Sequence, residues 1–248
     1  MHSRKLDDEI KEKLDDIQQL AKQVYRHHNE EDLHQLRVSY KKLRALLRMA
    51  NNSKMARLPK RFKNLYLAAG SVRDLQLHYK TVSAYFNQYT SLPVIYLEQI
   101  EKATAKAKQH YDKLYKLFSF RRLVRIMRSN APYKQHKAVI RKWREKNRNI
   151  IRLILSGTVT DAALHEVRKH VKDLVYTSHY FDDSKNYTKL ADKLGDFVDS
   201  CALLQLLNEH VKNIPPNEMT LLKHAEEQWL QRKEEQKSIL VKTLKVFG

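Results

Sequence analysis

The sequence predicts an all-α protein built as two tandem four-helix units, and three observations carry that prediction. Breakers are scarce: 248 residues hold only 4 glycines and 5 prolines, too few for the frequent turns of an all-β chain. Apolar residues recur at helical spacing, as in Leu33, Leu36, Tyr40, Leu43 and Leu47. A motif also recurs: Leu33-His34-Gln35-Leu36-Arg37 followed by Lys41 matches Leu164-His165-Glu166-Val167-Arg168 followed by Lys172. Self-similarity of this kind marks duplicated helical units.

The few breakers place the helix ends. The first helix is expected over 4–28 and the second over 30–50, closed by Asn51-Asn52-Ser53. Pro59 suits the first turn of a third helix over 57–89. Ser91-Leu92-Pro93 separates it from a fourth over 93–118. A fifth covers 120–155 with a break near Pro132, and Ser156-Gly157 ends it. The sixth runs over 160–181 to a softer boundary at Asp182-Asp183-Ser184. The seventh, 185–212, stops before Ile214-Pro215-Pro216-Asn217, and the eighth fills 217–246. Gly70 with Asp74 echoes Gly195 with Asp199, which extends the repeat; the halves are taken as 1–125 and 126–248.

Composition bounds the function. Lys and Arg total 48 against 28 Asp and Glu, a net charge of +20 with histidine neutral. A field of that sign attracts polyanions, namely nucleic acid, anionic membrane or polyphosphate. The 42% apolar fraction is enough to build a core. Cys201 is the lone cysteine, which excludes an intrachain disulfide and a thiolate metal cluster. Neither an amino-terminal leader nor an apolar run near the ~18 residues of a membrane span is found, so a cytoplasmic location away from the membrane is expected.

The basic residues are patterned. At about 100° per residue, His34, Arg37, Lys41, Arg44 and Arg48 fall within an arc of about 80°. The core-facing leucines occupy the adjoining arc, so the basic stripe borders the buried face. His165, Arg168, Lys172 and His179 repeat the arrangement, and Lys137, Arg141, Arg144, Arg148 and Arg152 form a third stripe. A charge run on a helix is usually a solvated face relieved by interleaved acids. Acids interleave in this way at 7–16 and 226–235, yet the stripes at 34–48 and 137–152 contain almost none. Like charges at i,i+4 destabilise a helix by a few tenths of a kcal/mol per pair; an external anion would relieve them.

His34-x-x-Arg37-x-x-x-Lys41-x-x-Arg44, its echo His165-x-x-Arg168-x-x-x-Lys172, and Gly70-x-Val72-Arg73-Asp74 resemble the CHAD family, named for conserved histidines in an α-helical domain. The resemblance spans about residues 5 to 245. It implies two four-helix bundles about a pseudo-twofold axis, with a basic central cleft or pore that binds inorganic polyphosphate. On that analogy the ligand residues are His34, Arg37, Lys41, Arg44, Arg73, His165, Arg168 and Lys172. Val175 and Val198 stand where the second copy would match Arg44 and Arg73, so a weaker grip is expected there. The family also occurs fused to a triphosphate-hydrolysing tunnel domain; with no Glu-x-Glu-x-Lys motif here, a stand-alone copy is expected.

The expected role is therefore a polyphosphate binder, with tethering to polyphosphate granules, and not an enzyme. Nucleic acid is the rival partner, since it shares the phosphate backbone; base recognition would want exposed aromatics for stacking, and most of the 13 tyrosines sit at core-compatible spacing. His165-Glu166 opens like a zinc-protease helix, but Lys169 stands where the second histidine is required. No metal or cofactor is expected. Asp74 and Asp199 are expected to orient basic side chains, and Gly70 and Gly195 to permit close helix packing.

Overall fold

The structure, a computed structural model, describes residues 2–50, 58–89, 91–128, 137–181 and 184–247. Every regular element among them is helical: α1 (His2–His27), α2 (Glu30–Met49), α3 (Lys60–Phe86), α4 (Val94–Lys116), α5 (Phe120–Arg128), α6 (Lys137–Leu155), α7 (Asp161–Tyr176), α8 (Ser184–His210) and α9 (Pro216–Phe247), with a 3-10 turn at Ser178–Tyr180. The all-α expectation holds.

Local chemistry sets the element ends. Asn29 caps α2: its Oδ1 accepts from the backbone N–H groups of Glu31 at 2.7 Å and Asp32 at 3.2 Å, satisfying donors that the helix itself leaves unpaired. Glu30, Glu31 and Asp32 in the first turn oppose the positive end of the helix dipole. His28 turns the chain from α1 into α2 with φ at 48°, and its Nε2 lies 2.8 Å from Asp112 of α4. Thr160 caps α7 by accepting from Ala163 N–H at 3.1 Å. α4 lacks a local side-chain cap behind Pro93; instead, buried Glu218 of α9 accepts from the N–H groups of Ile95 at 3.0 Å and Tyr96 at 3.1 Å.

The segment expected over 120–155 with a break near Pro132 holds two helices, α5 and α6; the break itself lies outside the described residues, as do those at 51–53 and at Asp182-Asp183. Two expectations about the elements change. The helix expected over 160–181 stops at Tyr176, where the buried Thr177 hydroxyl donates back to Asp173 O at 2.8 Å. His179 therefore leaves the α7 stripe and meets Glu9 of α1 at 3.0 Å.

α1 packs on α2, α2 on α3 and α3 on α4; α6 packs on α7, α7 on α8 and α8 on α9. The two series meet where α2 lies on α7 and α3 on α8, which sets both copies of the repeated motif against each other. Three apolar clusters hold this together. One joins α1, α2 and α3 through Leu33, Leu43, Phe62 and their neighbours, and takes in Leu123 and Met127 of α5 and Ile140 of α6. A second joins α6 to α9 around Val167, Leu194 and Phe197. The third bridges α3 and α4 to α8 and α9 through Val82, Tyr96, Leu207 and Trp229. Each fully buried Leu or Phe contributes roughly 1.5–3 kcal/mol. The boundary expected at 125/126 falls inside α5, whose two buried side chains both pack in the first cluster.

Candidate functional site

The geometry starts at α3, where Tyr66, Gly70 and Asp74 follow one another a helical turn apart. Arg37 of α2 lies along that line: its guanidinium stands 5.5 Å from the Tyr66 ring centroid, over the backbone of Gly70, and 3.7 Å from Asp74. A Cβ on Gly70 would stand 1.9 Å from Arg37 Nη1. Glycine at 70 thus makes room for a side chain rather than for a helix backbone. Gly195 differs, since nothing lies within 4 Å of its Cβ position; the expected packing role does not extend to it.

One turn along α2, Lys41 is held among cations. Burial, then Arg37, Arg168 of α7 and Arg44 push its ammonium down to about 7 against the pull of Asp74. Burial and then Arg37 lower the guanidinium of Arg73 on α3, against the pull of Glu30, Asp74 and Asp199. Arg44 and Arg168 each bury their Nε–H with no hydrogen-bond partner. Both act on Tyr176, whose hydroxyl is pushed up by burial while Arg168 and Arg44 oppose that rise. Five cations from α2, α3 and α7 therefore share one region, with Glu30, Asp74 and Asp199 as acids in their field.

The two histidines border this cluster. Burial and then Arg73 hold the His34 imidazole below its ordinary value; burial and then Arg168 do the same for His165. Both are half-buried. A buried polar atom without a partner costs about 1–3 kcal/mol, more when charged, so the unpaired guanidinium N–H groups mark where an anion would be most strongly received.

Other sequence-predicted residues lie elsewhere. Arg48 donates to Asp173 of α7 at 2.7 Å, and Asp173 is 4% exposed; this charge ties α2 to α7. Lys172, the counterpart of Lys41, reaches Asp192 of α8 at 3.6 Å. On α6, Lys137 and Arg141 are exposed, Arg141 pairing with Glu145 of its own helix at 3.8 Å. Arg144 lies 5.4 Å from the Phe181 ring, and Arg148 donates to the Tyr187 hydroxyl. Sequence reasoning did not anticipate Tyr66, Tyr176 or Asp173. The Tyr66-Gly70-Asp74 spacing was a usable signal for the first; Asp173, 125 residues from Arg48, had none.

The family model of the CHAD domain matches residues 9–208. The chain belongs to the CHAD family. The match ends before α9, although Glu218 of α9 caps α4 and Trp229 packs in the third cluster of this CHAD chain. Its fold is similar to the crystal structure of the CHAD domain from the plant Ricinus communis, with a TM-score of 0.75 at 18% identity over 99% of this chain and 90% of that one. No curated protein matches the sequence. Among the described residues of this CHAD protein, no helix is long and apolar enough to cross a membrane.

Proposed function

We propose that this CHAD protein binds inorganic polyphosphate at the cation cluster between α2 and α7, as a binding protein and not as an enzyme. The observation that carries the reading is the pair of buried, partnerless guanidinium N–H groups of Arg44 and Arg168 beside Lys41. Like charges gathered out of water are costly unless a counter-charge arrives. Polyphosphate supplies a row of oxygens without bases, and helix-borne donors recur about every 5.4 Å to meet it. Arg44 and Arg168 would fork onto non-bridging oxygens, while Lys41 acts as a point charge. The association of CHAD domains with polyphosphate-related proteins supports the same reading. The exposed cations of α6 would draw the polymer in at a distance. Attachment to polyphosphate granules in the cytoplasm is the role that follows.

The test is competition between long-chain polyphosphate and single-stranded RNA of equal charge at physiological salt. The expected result is that polyphosphate displaces RNA and that Arg44→Gln with Arg168→Gln removes most of the polyphosphate affinity. RNA binding as tight as polyphosphate, equally sensitive to the double change, would assign the cluster to nucleic-acid backbone instead.

A further inference from the structure

Where α3 meets α8, a cavity of about 190 Å³ opens beside the cation cluster. α3 lines it with Asp74, His78 and Thr81, and α8 with Asp199, Leu203 and Leu206. These are matching positions of the two repeats, each pair 125 residues apart. The lining is chemically lopsided: Asp74 and Asp199 lie in each other's field and form its carboxylate end, while α3 adds the polar His78 and Thr81 and α8 adds the apolar Leu203 and Leu206.

His78 is 2% exposed. Its Nε2 lies 2.6 Å from the Tyr96 hydroxyl, and its Nδ1 has no partner. Burial and then His210 push the imidazole down to about 4, which keeps it neutral at physiological pH. A buried neutral imidazole nitrogen left unpaired is costly, and it is uncharged, unlike the groups that would greet a phosphate.

We propose that this cavity takes a linear aliphatic diamine, one ammonium between the Asp74 and Asp199 carboxylates, its methylenes along Leu203 and Leu206, and its second nitrogen at His78 and Thr81. Asp74 and His78 are four residues apart on one helix, about 6 Å along the axis, which a four-carbon diamine spans. The second nitrogen would donate to Nδ1 and select the tautomer that holds its proton on Nε2, toward Tyr96. Asp199 is exposed to solvent, which leaves its carboxylate open to an incoming ammonium. A metal ion fits less well, because among the described residues no group of three or more His, Cys, Asp or Glu side chains is placed to hold one.

Arg37, Arg73 and Arg168 stand near the carboxylate end and repel an ammonium. A polyanion on those cations would reverse that field, so the two ligands should favour each other, by reciprocal coupling. This coupling alone rests on the polyphosphate reading.

The experiment follows the backbone amide shifts of Thr81 and Ala202, which also lines the cavity, during titration with 1,4-diaminobutane, with and without long-chain polyphosphate. Saturable shifts are expected in both states, at about tenfold lower diamine when polymer is bound, within the usual range of coupled sites. Asp199→Asn should abolish them. Ala202→Leu, which fills the cavity and keeps both carboxylates, should abolish them too while leaving polymer affinity unchanged. Shifts absent in both states would overturn the proposal, as would equal shifts in parent and Ala202→Leu, which place the amine on the polymer. Should polyphosphate fail to bind at all, the titration without polymer still decides the cavity, and only the polyphosphate reading falls.

Discussion

Arg37 occupies the space that a side chain at Gly70 would need, its Nη1 lying 1.9 Å from where a Cβ would stand. Helices ordinarily disfavour glycine by about 1 kcal/mol relative to alanine. Here the glycine keeps a guanidinium pressed between Tyr66 and Asp74. Gly70→Ala should therefore displace Arg37 and weaken polyphosphate binding about tenfold, the loss of one charge-assisted contact, with little change in melting temperature. Gly195→Ala meets nothing within 4 Å and should raise stability by roughly 0.5–1 kcal/mol with affinity unchanged. Thermal melts and polymer titrations on the two variants check the contrast; an equal loss of affinity in both would refute it.

The Arg48–Asp173 pair makes the opposite prediction. Asp173 is buried, and removing its partner leaves a buried charge uncompensated. Arg48→Ala should cost about 3 kcal/mol of stability. Arg48→Met combined with Asp173→Leu should recover most of it, because a well-packed apolar pair replaces an ion pair at little cost. Urea unfolding of the two variants decides this. A loss below ~1 kcal/mol for Arg48→Ala would mean that the contact does not anchor α2 to α7.

Lys41 makes binding pH-dependent. Its ammonium titrates at about 7 in the ligand-free protein against an ordinary 10.5. A bound polyanion restores the charged form, so binding takes up a proton. Affinity should be highest below pH 7 and fall as pH rises above it. His34 and His165, both held below their ordinary 6.5, add uptake on the acid side. Calorimetry in buffers of different ionisation enthalpy measures the proton count, and Lys41→Met should flatten the slope above pH 7.

The same lysine links folding to pH, with a definite sign. Between about 7 and 10.5 the unfolded chain holds a proton that the native state has released. Stability therefore rises with pH across that window. Lys41→Met should remove that rise, as read by denaturant midpoints at pH 7 and pH 10.

Relief of crowding gives a further check. Arg44→Gln with Arg168→Gln removes two of five clustered cations, and like-charge repulsion opposes the compact state. The variant should melt higher than the parent, by up to ~1 kcal/mol of stability, while binding polymer weakly. A variant less stable than the parent would show that the guanidinium groups support the fold.

Much of this was legible residue by residue. The helix expected over 30–50 is α2, which begins at Glu30 and ends at Met49. The His34-Arg37-Lys41 and His165-Arg168-Lys172 copies announced that α2 and α7 share a design. The expectation of a break within 120–155 agrees with two separate helices, α5 and α6. His179 was misplaced because spacing extends a stripe past the point where Thr177 turns back on Asp173.

By itself the sequence determined the helices, the stripes, the charge and the duplication, because each is written in spacings of three, four or seven residues along one element. Only the tertiary structure decided which cations meet. Arg48 and Lys172 look like their stripe neighbours, yet Asp173 and Asp192 claim them, while Arg44 and Arg168 keep buried donors without partners. Those fates depend on side chains brought together from distant parts of the chain by the packing of α2 on α7 and α7 on α8, and helical periodicity carries no information about which faces will meet.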